Sequence, residues 1–381
     1  MANKSASEIR QDITNKIVDS LSQNVLPWRK SWSSNGNSGI PTNFLNKRRY
    51  SGINSLILMC ESLDKGYTTK YWGTANAVMQ KIGAHVTKGE KSSSVTFFKM
   101  MPMKNDLGVA EKDSKGNDKF IPLLREYPIF NIQQFQPPTV ESLLDGKGSH
   151  SLVKTMLGDM SKTARKQETT EAELRQIAKR YLKQQPSKNL NRQQLAEFIH
   201  EGIQESLNEL KGCILKDDLP NYQPADELIQ KSKANIKHGG DRAFYAYKPR
   251  DYIAMPQKSD FETMTDYYQT LFHELAHWTM TDDRVGRTNK FEEKEESYAF
   301  EELVAELSAC FVLTEIGVPL AETVMTKSQS YLKNWLSKMK DDSKYIFAAS
   351  TQASKVVDYL LGFVGKQNPD YDDDYQDKQV A

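Results

Sequence analysis

Cysteine and histidine are scarce in this 381-residue chain, and each shortage removes a class of protein. The 3 cysteines, Cys60, Cys213 and Cys310, lie far apart and form no CxxC pair. That excludes a disulfide-stapled scaffold and a cysteine-rich zinc finger, and it fits a reducing cytoplasm. No apolar run is long enough to span a bilayer, so no membrane partner is expected. The opening residues MANKSASEIRQDITNKIVDSL carry an amphipathic helical pattern and lack the apolar core of a signal peptide. Net charge is also nearly absent, at +1, but the charge is unevenly spread. Residues 1–99 hold 14 Lys+Arg against 6 Asp+Glu, whereas residues 260–381 hold 12 against 23. A basic front third attracts polyanions through counterion release. The bland alternative is two ordinary domains of different isoelectric point.

Length alone predicts two or three compact units, and the pattern predicts an α+β chain. Ile9, Ile13, Ile17 and Leu21 recur at helical spacing. SSSVTFFKMMPM and FIPLLREYPIFNIQQF read as strands joined by a polar stretch, 104–119. Pro137 and Pro138 close this front domain at 1–137. Residues 138–225 read as a helical insertion. There Thr170 and Glu173 form a capping box before the stripe Leu174, Ile177, Tyr181 and Leu182. A second stripe, Leu195, Phe198, Ile199 and Ile203, repeats the style, and His200 reads as a surface or packing histidine. Residues 226–365 form the back domain, and 366–381 an acidic, disordered tail. RAFYAYKPRDYIAMP reads as a β-hairpin whose last strand could offer an edge to an extended peptide.

Only 6 histidines are present, and two of them fall in LFHELAHW. On a helix, His273 and His277 stand one turn apart and face the same way. That spacing suits chelation of one zinc ion, with another divalent metal as the alternative. Glu274 adjoins the first histidine and can take a proton from the attacking water. The competing reading is a histidine pair on a surface helix. The apolar surroundings argue against it, because a buried pair needs a partner. A catalytic site needs a third protein ligand. No histidine follows His277, so a carboxylate from YAFEELVAELSACFV is expected. Glu302 is the choice and Glu306 the alternative. Glu301 is expected to point into solvent. His85 has no histidine or cysteine neighbour and reads as no ligand.

The front third interleaves aromatics with cations. Trp28 and Trp32 flank Arg29 and Lys30, and Tyr50 follows Lys47, Arg48 and Arg49. Trp72 sits in GYTTKYWGT, and Lys88 and Lys91 follow, with Asn43 and Asn54 bracketing the basic run. Rings that stack on bases and cations that track phosphates suit single-stranded nucleic acid. The alternative is that the tryptophans are core and the cations merely surface. No recognition helix or zinc finger for duplex DNA is evident.

Taken together, LPWRKSW, IPTNFLNKRRYSGIN, WGTANAVMQKIGAHVTKGEKSSSVTFF and YPIFNIQQF resemble the N-terminal domain of the ArdC family of antirestriction proteins. AFYAYKPRDYIAMP, YYQTLFHELAHWT and YAFEELVAELSACFV resemble that family's zincin-type metallopeptidase domain. The resemblance covers most of the chain and keeps the family's motif order. It implies an N-terminal α/β single-stranded-DNA-binding domain ahead of a metallopeptidase domain. It also implies His273 and His277 as metal ligands, Glu274 as general base and Glu302 as third ligand. The implied role is protection of incoming plasmid or phage DNA from host restriction, with conjugation as the setting. A host restriction protein or a DNA-bound protein is the implied substrate. The alternative of a different class is an SprT-like, DNA-dependent protease acting on DNA-bound proteins. A pure binding module with a degenerate site is disfavoured by the intact HExxH.

Overall fold

A computed structural model describes residues 6–23, 26, 28, 39–103, 111–112, 117–145, 169–212, 222–287, 294–320, 326–366 and 368. The first helix, α1 (Ala6–Ser22), buries the stripe Ile9, Ile13, Ile17 and Leu21. A four-stranded sheet follows. It is built from β1 (Thr42–Asn43), β2 (Tyr71–Gly73), β4 (Ser93–Pro102) and β5 (Phe120–Asn131), in the order β1-β2-β5-β4. The strands expected from the alternating pattern are the long antiparallel pair β4–β5, in register from Ser93 with Ile129 to Pro102 with Phe120. Between these strands lie α2 (Ile53–Lys65) and α3 (Ala75–Ile82), the latter capped by Thr74, whose side chain accepts from the Ala77 amide. A small ladder joins β3 (His85–Val86) to β6 (Phe135–Gln136).

The middle of the chain is helical: α4 (Val140–Leu144), α5 (Glu171–Tyr181) and α6 (Arg192–Lys211). The capping box exists. The Thr170 amide donates to Glu173 at 2.7 Å and the Glu173 amide to Thr170 Oγ1 at 3.3 Å. Leu174, Ile177, Leu195, Ile199 and Ile203 are buried against Phe44, Val78, Ile132 and Phe135, so these helices pack on the front sheet. His200 is a packing histidine, with Nδ1 2.9 Å from the Pro138 carbonyl.

The back half opens with α7 (Gln223–Ser232) and a sheet of β7 (Ile236–His238), β8 (Phe244–Ala246) and β9 (Tyr252–Met255). The expected hairpin is β8–β9, antiparallel. The strand expected to offer an edge does not. The order is β7-β9-β8, and β7 pairs parallel with β9 on its other side. The edge beside the hairpin is therefore β8. Among the described residues four helices follow: α8 (Met264–Trp278), α9 (Lys294–Ile316), α10 (Thr326–Asp341) and α11 (Tyr345–Gly362). From Ala299 to Thr314 helix α9 is buried around its whole circumference, with Leu303, Val304, Leu307, Phe311 and Val312 all but inaccessible. A helix apolar on all sides belongs at the centre of a core.

That core crosses the two halves. Ile9, Leu21, Trp28 and Leu56 share one buried cluster with Phe272, Leu303, Trp335 and Leu360. Polar contacts reinforce the seam. Arg49 reaches Glu315 at 3.4 Å and Asp358 at 3.1 Å, and the Gly52 amide donates to Ser354 Oγ at 2.7 Å.

Candidate metal centre

Helix α8 is capped by Thr263, whose hydroxyl accepts from the Asp266 amide at 3.1 Å. Tyr267, Tyr268, Leu271, Phe272 and Leu275 are all buried, so apolar burial fixes the helix. His273 and His277 then share the face turned to α9. Their Nε2 atoms are 3.2 Å apart and their rings stand nearly perpendicular, at 85°. From α9, Glu302 places Oε2 3.4 Å from His273 Nε2 and Oε1 3.4 Å from His277 Nε2. Ala305 and Ala309 are buried on α9, consistent with close helix approach. One ligand atom from each of His273, His277 and Glu302 lies within 4.8 Å of the others. Two imidazoles and a carboxylate facing one point, all nearly out of solvent, are the donor set of a divalent cation such as zinc. The residues fit the group.

Glu306 takes a different position. It is fully buried, but its Oε2 lies 3.9 Å from Nδ1 of His273, on the ring edge away from the Nε2 cluster and beyond hydrogen-bond reach. Its other oxygen faces Cys310 Sγ at 3.7 Å. Geometry thus brings Glu302, and not Glu306, to the imidazole Nε2 atoms.

Glu301 overturns its expectation. It is not solvated but 8% exposed, with Oε1 3.1 Å from Nδ1 of His277. Arg287 closes over the same carboxylate. Its Nε lies 3.3 Å from Oε2, and its Nη2 forms a still closer contact with Oε1. Arg287 also donates to the Ala276 carbonyl at 2.9 Å, tying the loop after α8 back onto the helix. The physical reason is that loop. It folds over the flank of α9 that a helical wheel assigns to water, and it brings a guanidinium with it. A carboxylate can only accept, so His277 carries a proton on Nδ1 and offers Nε2 to a metal.

The electrostatics follow from these contacts. Burial alone would raise the Glu302 carboxyl, but hydrogen bonds and attraction from His273 and His277 hold it far below the usual carboxylate range. Burial would likewise raise Glu301, and Arg287 and His277 together bring it below its ordinary value. Burial depresses His277, yet Glu301 and Glu302 outweigh it and push the metal-free imidazole up to about 10. Glu274, 5% exposed, adjoins His273 in the same buried layer.

Two neighbouring features had no sequence signal. Tyr298, 55% exposed, stands one turn before Glu302 on α9 with its ring 5.7 Å from that of Tyr331. Arg284 clamps the hairpin to α8. It pairs with Asp251 at 2.5 Å, donates to the Trp278 carbonyl at 2.6 Å and lies 3.7 Å over the Trp278 ring.

The expected nucleic-acid residues scatter. Trp28 and Trp72 are 0% exposed and pack in the core, so neither ring can stack on a base. Apolar burial of a large ring wins over stacking. Arg49 is occupied by Glu315 and Asp358. Asn54 is spent on the backbone of Thr96, donating to its carbonyl at 2.7 Å and accepting from its amide at 2.8 Å. Asn43 locks its own turn by accepting from the Leu45 amide at 2.9 Å. Tyr50 is half-buried against the cluster that contains Trp72. Arg48 is half-buried, and Lys88 and Lys91 are exposed. Arg29, Lys30 and Trp32 lie outside the described residues. His85 faces the Gln136 amide at 3.2 Å and joins no metal-binding group among the described residues. Among the same residues, no helix is long and apolar enough to cross a membrane.

Comparison with known proteins agrees with this layout. Residues 7–130 match the family model of the N-terminal domain of anti-restriction factor ArdC, and residues 223–352 match that of a zincin-like metallopeptidase. The crystal structure of the antirestriction protein ArdC from plasmid R388, metal-free, is similar over 94% of this chain and 99% of its own, at 26% identity and a TM-score of 0.61. Its Mn(II)-bound form gives 25% identity and a TM-score of 0.57, over 94% and 98%. A DNA primase TraC of Escherichia coli is 26% identical over 93% of this chain, which spans only 20% of that primase. These matches follow one another in order along the chain and show an ArdC-type N-terminal domain followed by a zincin-like metallopeptidase domain, on a fold like that of the antirestriction protein ArdC.

Proposed function

We propose that this protein binds single-stranded DNA through its front half and hydrolyses peptide bonds at the His273–His277–Glu302 centre, so protecting DNA that enters a restricting host. The observation that carries the peptidase reading is the convergence of both Nε2 atoms and both Glu302 oxygens at 3.2–3.4 Å, with the buried Glu274 next to His273 in the chain. In this reading His273, His277 and Glu302 hold a divalent ion, zinc by preference. The ion, when bound, supplies Lewis acidity that polarises a peptide carbonyl. Glu274 accepts the proton of the attacking water and returns it to the leaving amine. Glu301 and Arg287 keep the His277 ring turned so that Nε2 faces the centre. The edge strand β8 pairs with the backbone of an extended peptide. Phe244 and Tyr247, 44% and 56% exposed, flank that strand and offer apolar contacts.

DNA binding rests on the basic front third and on the family's N-terminal domain. Proteins attached to the DNA are then the nearest substrates, and the shared core and the Arg49 ion pairs favour this reading by joining the two halves firmly. The test compares the full chain with Glu274→Gln. Metal content and DNA binding are expected to persist in the variant while hydrolysis of a DNA-bound protein stops. Equal hydrolysis by both proteins would remove Glu274 from the chemistry. Plasmid transfer into a restricting host, with and without Glu274→Gln, then tells whether protection requires proteolysis.

A further inference from the structure

Two ammonium groups lie over one tyrosine on the front half, and a third lysine acts on one of them. Lys47 Nζ lies 4.3 Å from the centroid of the Tyr71 ring, and Lys70 Nζ lies 5.9 Å from the same centroid. Lys81, in the last turn of α3, is close enough for its charge to act on Lys47. Burial lowers the Lys47 pKa, and the charges of Lys70 and Lys81 lower it further.

The chain invests backbone strain in this arrangement. Lys47 sits at φ +61°, a left-handed conformation uncommon for a side-chain-bearing residue. Its turn is locked from below. Asn43 Oδ1 accepts from the amides of Leu45 and Asn46 at 2.9 and 3.3 Å, and the Lys47 amide donates to the Asn43 carbonyl at 2.9 Å. Lys47 is therefore presented at a fixed place over Tyr71.

No carboxylate among the described residues forms an ion pair with any of the three lysines. Glu315 is close enough to raise the Tyr71 hydroxyl, after burial. Its oxygens are engaged elsewhere, by Arg49 at 3.4 Å and the Ile40 amide at 3.0 Å. The fold treats other neighbouring lysines differently: Lys16 and Lys65 share Glu61, at 3.6 and 3.0 Å. Glu315 also borders Lys70, both lying beside Gly39, but it is shared with Arg49, so the cations outnumber the acid and the excess charge is unfavourable until an anion arrives.

We propose that Lys47, Lys70 and Lys81 form a binding site for the phosphodiester backbone of single-stranded DNA, an inference that rests on the DNA-binding part of the function proposed above. Two cations already lie over Tyr71, so the ring positions the ammoniums and takes no base. The site reads phosphate and is indifferent to sequence.

The experiment uses the full chain and fluorescein-labelled dT20 and dA20, with anisotropy read across a salt series. The variant is Lys47→Gln/Lys70→Gln/Lys81→Gln. Each lost phosphate contact reduces the slope of log affinity against log salt by roughly 0.7 for a single strand, so the slope should fall by about 2. Affinity at 150 mM salt should fall at least tenfold, equally for both oligonucleotides. The melting temperature should hold or rise, because repulsion is relieved. If the wild-type chain binds and the variant binds with the same affinity and slope, the site is overturned while DNA binding stands. If affinity falls but the variant also melts several degrees lower, the lysines are structural and the site is overturned. If the wild-type chain binds neither oligonucleotide, DNA binding itself falls, and the site with it.

Discussion

Glu301 holds His277: its Oε1 lies 3.1 Å from the imidazole Nδ1, and Arg287 keeps the carboxylate in place from the other side. Such outer contacts orient a ligand, and their loss costs about 10- to 100-fold in metal affinity. Glu301→Gln should weaken metal binding by that order in a chelator competition and also lower the melting temperature, because a neutral amide leaves the buried Arg287 charge unpaired, though less than the alanine variant since the amide oxygen can still accept. Glu301→Ala should destabilise the fold as well, by about 3–5 kcal/mol, since it strands the buried Arg287 guanidinium. Unchanged metal affinity in both variants would reduce the contact to packing.

The third ligand can be assigned by substitution. Glu302→Ala should lose the metal, because both carboxylate oxygens face the imidazole Nε2 atoms at 3.4 Å. Glu306→Ala should keep it. Elemental analysis of the two purified variants decides, and the reverse outcome would move the site by one helical turn.

Metal binding should release a proton. In the metal-free protein His277 is raised to about 10, above the ordinary 6.5, through Glu301 and Glu302 against the opposing effect of burial. A raised imidazole stabilises the metal-free fold fully below about pH 6.5, and that contribution fades as pH climbs through about 10. A metal needs the ring neutral at Nε2, so affinity should rise with pH across this window. Calorimetric titration at pH 7 in two buffers of different ionisation enthalpy measures the proton. Identical heats in both buffers would contradict the assignment.

Arg49 and Trp28 should behave as structural residues. Arg49→Ala leaves Glu315 without its cation at a nearly closed site, so a loss of about 3 kcal/mol is expected, the lower end for a broken buried pair. Trp28→Ala empties core volume and should cost about 3–5 kcal/mol. Urea denaturation measures both. A loss of DNA affinity with stability intact would return either residue to the nucleic-acid surface.

Periodicity made much of this architecture legible. The apolar stripes of α1, α5 and α6, the Thr170–Glu173 box and the β4–β5 pair follow from local rules, since each declares its own inside face. His273, His277 and Glu302 were legible too, because helical spacing fixes which side chains share a face. What failed was decided by distant chain. Glu301 looked solvated because nothing in its own helix announces Arg287. β9 looked like an edge because β7, 16 residues earlier, gives no sign of pairing parallel to it. Arg49 and Trp28 looked like a nucleic-acid surface because composition cannot tell a cation facing water from one facing Glu315, nor a ring facing a base from one facing leucines. Exposure is a property of the assembled fold, and aromatic-basic interleaving says nothing about it.

Helix α9 carries Glu302 toward one end and Glu315 near the other. The 13 helical steps from one to the other span about 20 Å. One end completes the metal centre, and the other is gripped by Arg49 and the Ile40 amide of the front half. The contacts that close the metal centre and those that hold the front half at Arg49 are thus made by opposite ends of one buried helix, so the seam and the site share a single rigid element.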